Sequence, residues 1–135
     1  MIEKLDEVFR FHQEALNLRA QRQQVLASNI ANADTPRFQA RDIDFTTALN
    51  NALDAGAKNS GPAALAATSA RHLPGTGAPG TAPALYRVPQ QASIDGNTVE
   101  MDVERAQFAD NAVHFEADLT VINNQLKTLL AAIQG

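Results

Sequence analysis

Hydrophobic positions near the start of the chain recur at helical intervals. Ile2, Leu5, Phe9, Leu16, Leu26 and Ile30 follow one another at steps of three, four and seven, or sums of them, the spacing that lines one face of an α-helix. The pattern predicts one amphipathic helix over residues 2–33. His12, Arg19 and Gln23 fall in the gaps of the same face. A polar residue on a buried seam costs stability and fixes register or partner choice. The alternative for Arg19 is a stem laid along apolar surface with its charged head in water.

The last third of the chain carries a longer, more regular pattern. Phe108, Ala112, Phe115, Leu119, Ile122, Leu126, Leu129 and Ile133 alternate steps of four and three without a break. A 3.5-residue repeat sustained over heptads is the seam of a coiled coil. A helix over residues 105–135 has no partner for this seam within itself, so the first helix, or helices of other copies, must cover it.

Between these helices the pattern changes twice. Pro36 restricts Thr35 to an extended backbone, so the first helix must end before it. Asn29, Asn32, Asp34 and Thr35 compete for nearby backbone groups and reinforce the stop. Residues 38–45 read as extended. A short helix follows, with Asp44 as N-cap, Phe45, Leu49 and Leu53 as its apolar edge and Gly56 as its close. The stretch 56–83 holds five of the seven glycines and four of the six prolines, and such composition buries too little apolar surface to offset ordering entropy. Strand-like signals return at Tyr86 and Val88 and, after the turn pair Asp95-Gly96, at Val99, Met101 and Val103, which alternate with Glu100, Asp102 and Glu104. This predicts a small hairpin or extended arm.

The expected fold is mainly α: long N- and C-terminal helices packed as a coiled-coil-like domain, a flexible Gly/Pro/Ala-rich middle and a small extended or hairpin segment. The segments are 1–33, 34–55, 56–85, 86–104 and 105–135, within one domain overall.

Composition narrows the function classes. The 135 residues carry a net charge of −4, no cysteine, no Trp and one Tyr. Disulfide and thiolate chemistry are excluded, and without a basic cluster interleaved with aromatics nucleic acid is not an expected partner. Glu3, Lys4, Asp6, Glu7 and Arg10 break up any apolar core of a cleavable signal peptide. Taken alone, this says cytoplasmic, and an export route that reads no such signal also fits.

Candidate chemistry is sparse. His12, His72 and His114 lie far apart, with no metal-ligand spacing to join them. Glu100, Asp102 and Glu104 would share a strand face. Paired acids can hydrolyse sugars, but a solvated face or a helix N-terminus seeking negative charge is the ordinary role. No phosphate-binding, dinucleotide or nucleophile-elbow motif occurs. The expectation is no enzyme, cofactor, metal or small-molecule substrate.

Two segments carry a family resemblance. The first is Leu18-Arg-Ala-Gln-Arg-Gln-Gln-Val-Leu-Ala-Ser-Asn-Ile-Ala-Asn-Ala-Asp-Thr-Pro36, running on into Ala40-Arg-Asp-Ile-Asp-Phe45. The second is Asp95-Gly-Asn-Thr-Val-Glu-Met-Asp-Val-Glu-Arg-Ala-Gln-Phe-Ala-Asp-Asn-Ala-Val-His-Phe115. Together they span about a third of the chain. The first resembles the N-terminal motif shared by bacterial flagellar axial proteins. The second resembles, among these, the proximal-rod proteins of the basal body. Where that family usually has Gly after the proline, this chain has Arg37, so either the turn does not need a positive φ or the loop differs.

The resemblance implies a building block of the periplasmic rod, exported through the flagellar type III channel without cleavage. It implies as partners other rod proteins, further copies of this chain, the membrane-ring junction and, in transit, the export apparatus. The assembly motif would be Asn29, Asn32, Thr35 and Pro36. The packing seam would be Leu5, Phe9, Leu16, Leu26, Ile30, Phe108, Phe115, Leu119, Ile122, Leu126, Leu129 and Ile133. The rival reading is a flagellar export chaperone or helical adaptor.

Overall fold

The described residues of the computed structural model are 2–57, 82–91 and 93–134, without the side chains of 2–5 and 55–57. The element order is α1 (Ile2–Ala31), β1 (Arg41–Asp42), α2 (Phe45–Ala57), β2 (Leu85–Tyr86) and α3 (Met101–Gln134). Leu5 of the expected seam has its side chain outside the described residues, as does most of the expected flexible insert. The mainly helical architecture expected from the two periodicities is what the chain adopts.

The two long helices have 30 and 34 residues, about 45 and 51 Å at 1.5 Å per residue. They pack against each other as a hairpin, and α2 and the β1–β2 ribbon lie against α1. Leu26 is fully buried, and Ala15 and Leu18 nearly so. Leu18, Ile43 and Ala48 form a small core, with Val25, Phe45, Leu49 and Ala84 packed around it. So α1 is buried on two sides, with α3 on one and α2 and β1 on the other. A single stripe on α1 understates this: Ala15 and Leu18 lie off the Phe9–Leu16–Leu26–Ile30 line and are buried more deeply than Phe9 or Leu16.

The stop after α1 works through its polar residues. The helix ends at Ala31, and the Asn32 amide bonds the carbonyls of Ser28 and Asn29 at 3.2 and 3.1 Å. The Asn32 side chain donates to Ser28 O at 2.8 Å and accepts from the Thr35 hydroxyl at 3.1 Å. The Asp44 cap of α2 forms as expected, its carboxylate accepting from the Thr47 amide at 3.2 Å and the Thr47 hydroxyl at 2.7 Å. These bonds hold the exposed Asp44 carboxyl below its usual range. Gly56 does not close α2, which runs on to Ala57.

The hairpin expected after Asp95-Gly96 is replaced by a helix start. The turn itself forms, with the Gly96 amide donating to Ser93 O at 3.3 Å. But α3 begins at Met101, and the Glu104 amide already donates to Glu100 O at 2.9 Å. A short alternation misleads here because Val99 and Val103 are also i, i+4 neighbours. The strand pair that does form joins β1 to β2 antiparallel, Arg41 opposite Tyr86 and Asp42 opposite Leu85.

Arg37 adopts φ 61°, the left-handed region, and Gly96 adopts φ 76°. The turn after Pro36 therefore does take the conformation glycine favours, and Arg37 bears it with a Cβ. A non-glycine residue there is strained by about 1–2 kcal/mol. Arg37→Gly is expected to raise the thermal midpoint by about 2 °C for roughly 0.5 kcal/mol, after glycine's larger unfolded-state entropy is subtracted. Gly96→Ala is expected to lower it, though a Cβ there meets only ordinary contacts of 3.7 and 3.8 Å with Arg37. Thermal unfolding followed by circular dichroism checks both.

Candidate assembly site

The segments that carry the sequence motifs meet at one junction. Asn29, buried in the last turns of α1, pairs with the backbone of Arg41 as a neighbouring strand would. Its Nδ2 donates to Arg41 O at 2.7 Å and its Oδ1 accepts from the Arg41 amide at 3.1 Å. On the other edge of the same stretch, Ala40 O accepts from the Arg87 amide at 2.9 Å, and the Ala40 amide donates to the Thr98 hydroxyl at 2.8 Å. Residues 38–42 are thus threaded between α1 and the returning chain.

Asn97 locks the stop of α1. Its Nδ2 lies 3.1, 2.6 and 3.0 Å from the carbonyls of Asn32, Ala33 and Thr35. The carbonyls of Asn32 and Thr35 also accept from the amides of Thr35 and Phe38 at 3.0 and 3.3 Å, and beyond the last helical turn the buried Asn97 side chain adds a donor to all three. Asn97 Oδ1 accepts from the Val99 amide at 2.8 Å, and Asp95 Oδ1 accepts from the Asn97 amide at 3.1 Å. The Ser93 hydroxyl donates to the Asn97 carbonyl. Of the motif residues, Asn29 is a buried structural pin, Asn32 and Thr35 are bonded to each other, and Pro36 is exposed.

Below this junction lies a charged cluster joining α1, β1, β2 and α3. Arg22 grips Asp42 with two bonds, Nε to Oδ1 at 2.8 Å and Nη2 to Oδ2 at 2.9 Å. Arg87 donates to Asp42 Oδ2 at 2.8 Å and to Glu104 Oε1 at 2.6 Å. Gln107 Oε1 accepts from Arg22 at 2.7 Å and Arg87 at 3.0 Å, and Asn29 Nδ2 donates to Glu104 Oε2 at 3.1 Å. Glu104 is fully buried. Two guanidinium groups therefore face two carboxylates, each bond charge-assisted. Burial pushes the Asp42 carboxyl up, but the hydrogen bond and charge of Arg22, with Arg87 and the Ile43 amide, outweigh it and hold Asp42 below its usual value. The bond to Asp42 correspondingly raises Arg22.

The acids considered for catalysis are separated by the helix start. Glu100 accepts from the amides of Gln90 and Gln91 at 3.0 and 3.1 Å, Asp102 is exposed in the first turn of α3, and Glu104 sits in the ion cluster. Among the described residues no group of His, Cys, Asp and Glu is placed to hold a metal ion.

The α1–α3 seam divides the predicted heptad in two. Phe108, Phe115, Ile122 and Leu129 are half-buried against α1. Between them, seven residues apart, stand Glu104, Asn111, Asp118 and Gln125, each bonded across to α1. Glu104 accepts from Asn29. Asn111 Nδ2 donates to Arg19 O at 2.9 Å and Gln23 Oε1 at 2.6 Å. Asp118 accepts from Arg19 at 2.7 Å, and Gln125 meets His12 at 3.5 Å. Arg19 thus does more than snorkel: it pairs with Asp118 and lies 4.3 Å above the Phe45 ring. The other half of the heptad turns outward. Leu119 is 39% exposed, Leu126 45% and Ile133 82%. The expected seam is therefore split, half covered by the hairpin and half bare.

Arg22, Asp42, Arg87, Asn97, Glu104 and Asn111 were not among the expected site residues. The seven-residue spacing of Glu104, Asn111, Asp118 and Gln125 is visible in the sequence; nothing local marks Arg87 or Asn97.

Known proteins match this chain along its whole length. The family described as "Flagella basal body rod protein" matches residues 9–39, the second part of α1 and the stop. The flagellar basal body rod protein FlgB of Yersinia enterocolitica is 53% identical over 135 residues, 99% of this chain and 98% of the relative. FlgB of Salmonella typhimurium is 53% identical over 138 residues, covering 100% and 99%. FlgB of Escherichia coli K12 is 51% identical over 136 residues, covering 100% and 99%.

Removing one partner from the ion cluster strands the others. Arg87→Ala leaves Glu104 buried without its cation and is expected to cost about 3 kcal/mol or more, measured by urea unfolding. The Asp42 contribution has a pH sign. Its folded pKa is depressed, so its stabilisation is present above the ordinary carboxylate pKa and lost as pH falls through the lowered one. Asp42→Asn is expected to be less stable at pH 7 and to lose part of the acid dependence seen in the parent.

Proposed function

The chain belongs to the FlgB family of flagellar basal body rod proteins, and on that footing we propose a proximal-rod subunit that assembles through its bare helical stripe. It is a structural component of the basal body. The observation that carries the assembly reading is the division of α3. Register with α1 is set by bonded polar residues, while Leu119, Leu126 and Ile133 stay exposed on a helix of 34 residues. An apolar stripe of this length on an isolated subunit marks a contact surface.

In this reading the chain is a building block and not a catalyst. Asp42, Glu104 and Glu100 are taken up by Arg22, Arg87 and backbone amides. The rod lies in the periplasm, and the chain reaches it through the flagellar export channel. Its partners are neighbouring rod proteins, other copies of itself and the ring–rod junction. The junction at Asn29, Asn32, Thr35 and Pro36 aims the chain from the inner helical layer outward. A chaperone of the export system is not supported by the full-length kinship.

Leu126→Asp is expected to abolish rods and swimming while the protein is still exported. Electron microscopy of basal bodies and assay of secreted protein check it. Normal rods in that strain would remove the stripe from the argument, and complete rods in a strain lacking the chain would overturn the structural reading itself.

A further inference from the structure

Away from the α3 stripe, the ribbon and the start of α1 carry two surfaces of opposite character. The β1–β2 ribbon presents an aromatic ring beside a cation. Tyr86 is 67% exposed, and the Arg41 guanidinium lies 5.7 Å from its ring centroid. Arg41 is itself exposed and has no ion pair among the described residues. Asn29 bonds both backbone groups of Arg41 from behind, so the stack is held in one position on the subunit. Val88, two residues beyond Tyr86, adds further bare apolar surface.

The receiving surface is a groove of about 440 Å³ between α1 and α2. Val8, Phe11 and Leu53 give it apolar walls, and Glu7 and Asp54 add two carboxylates. Neither acid has an ion pair among the described residues. Arg10 lines the same groove, and its Nε is buried without a hydrogen-bond partner among the described residues. A buried donor in that state costs free energy until an acceptor reaches it. Charge, apolar walls and the orphaned donor together call for one kind of guest: an aromatic ring bearing an oxygen acceptor, with a cation at its side. Tyr86 and Arg41 supply both, and Tyr and Arg are residue types that anchor protein interfaces. The stack does not reach the groove of its own chain, because Asn29 pins it about 20 residues, or about 30 Å, farther along α1.

We propose that in the assembled rod the Tyr86–Arg41 stack of one copy of this chain seats in the α1–α2 groove of the next. The Tyr86 hydroxyl oxygen accepts from Arg10 Nε, and Arg41 faces Glu7 and Asp54. Successive copies are then displaced by about 30 Å along α1. The two joined surfaces differ, so the contact is heterologous and repeats from copy to copy as a helical array. It uses α2 and the ribbon, leaves the α3 stripe free for other contacts, and rests on the rod reading for its setting.

The test is made in basal bodies purified from cells in which a variant replaces the parent chain. The chain has no cysteine, so it carries only the thiols placed in it. A chain with both Val88→Cys and Asn50→Cys, the latter one turn of α2 before Asp54, should be joined by a short bismaleimide into covalent dimers and longer species. Neither substitution alone should give them. Arg41→Glu, and separately Glu7→Lys with Asp54→Lys, should each cut the number of complete rods about tenfold or more, and the three together should restore it. All five positions are exposed, so the changes leave the buried ion cluster intact. Rods that assemble with both cysteines but give no covalent dimer, a cross-link to a different rod protein instead, or a triple reversal that fails to restore rods would each overturn the proposal. Absence of the parent chain from purified basal bodies would sink the rod reading instead, so the two failures are told apart.

Discussion

A carboxylate with no access to water, Glu104, constrains much of this fold. A charge so placed is tolerated only with its counter-charges and hydrogen bonds in position. Its partners come from distant parts of the chain: Arg87 beside β2 and Asn29 on α1. Arg87 also holds Asp42, which Arg22 grips from α1. Satisfying Glu104 therefore fixes where the first helix stops, where the extended stretch passes and at what height α3 begins. The Asn97 bonds to the end of α1 and the Asn29 pairing with Arg41 complete the same knot.

The hairpin above the knot follows the same logic at lower charge density. Each heptad of α3 offers α1 one apolar residue and one polar residue. Apolar contacts between long helices are permissive: a slip of one heptad replaces Phe by Ile or Leu at modest cost. The polar positions are not permissive, because Asn111 meets the Arg19 carbonyl and the Gln23 amide, Asp118 the Arg19 guanidinium and Gln125 the His12 ring. A slip would strand a buried amide or carboxylate, so register is bought with polar residues at some expense of stability.

The helices, their stop before Pro36, the Asp44 cap and the heptad were legible in the sequence because each has a local cause. What was not legible depends on residues far apart. Val99 to Glu104 reads as a strand by alternation, and only the docking of Glu104 against Arg87 and Asn29 makes the helical alternative bury a satisfied charge. Arg87 lies in a stretch with no periodicity, so nothing in its neighbours predicts that it bridges two acids. Arg37 shows the reverse case. Its position after Pro36 pointed to glycine chemistry, and the left-handed backbone persists with an arginine whose amide is held by Asp95 O at 3.1 Å. The heptad was legible as a whole, but not its division, since the pattern does not say which of two apolar lines faces the chain's own first helix.

That division has a physical rationale in a subunit that must have one shape yet join others. Had both apolar lines faced α1, the hairpin would be more stable and its outer face inert. Had both faced outward, α1 and α3 would lack a fixed relation, and each contact with a neighbour would have to order the subunit as well. With one polar-and-apolar line inward and one apolar line outward, the cost of ordering is met within the chain before any neighbour arrives. The outward line can then be apolar throughout, because the hairpin already fixes where its residues stand. Binding strength and register are thus assigned to different faces of one helix, and a substitution on either face should disturb one property with limited effect on the other.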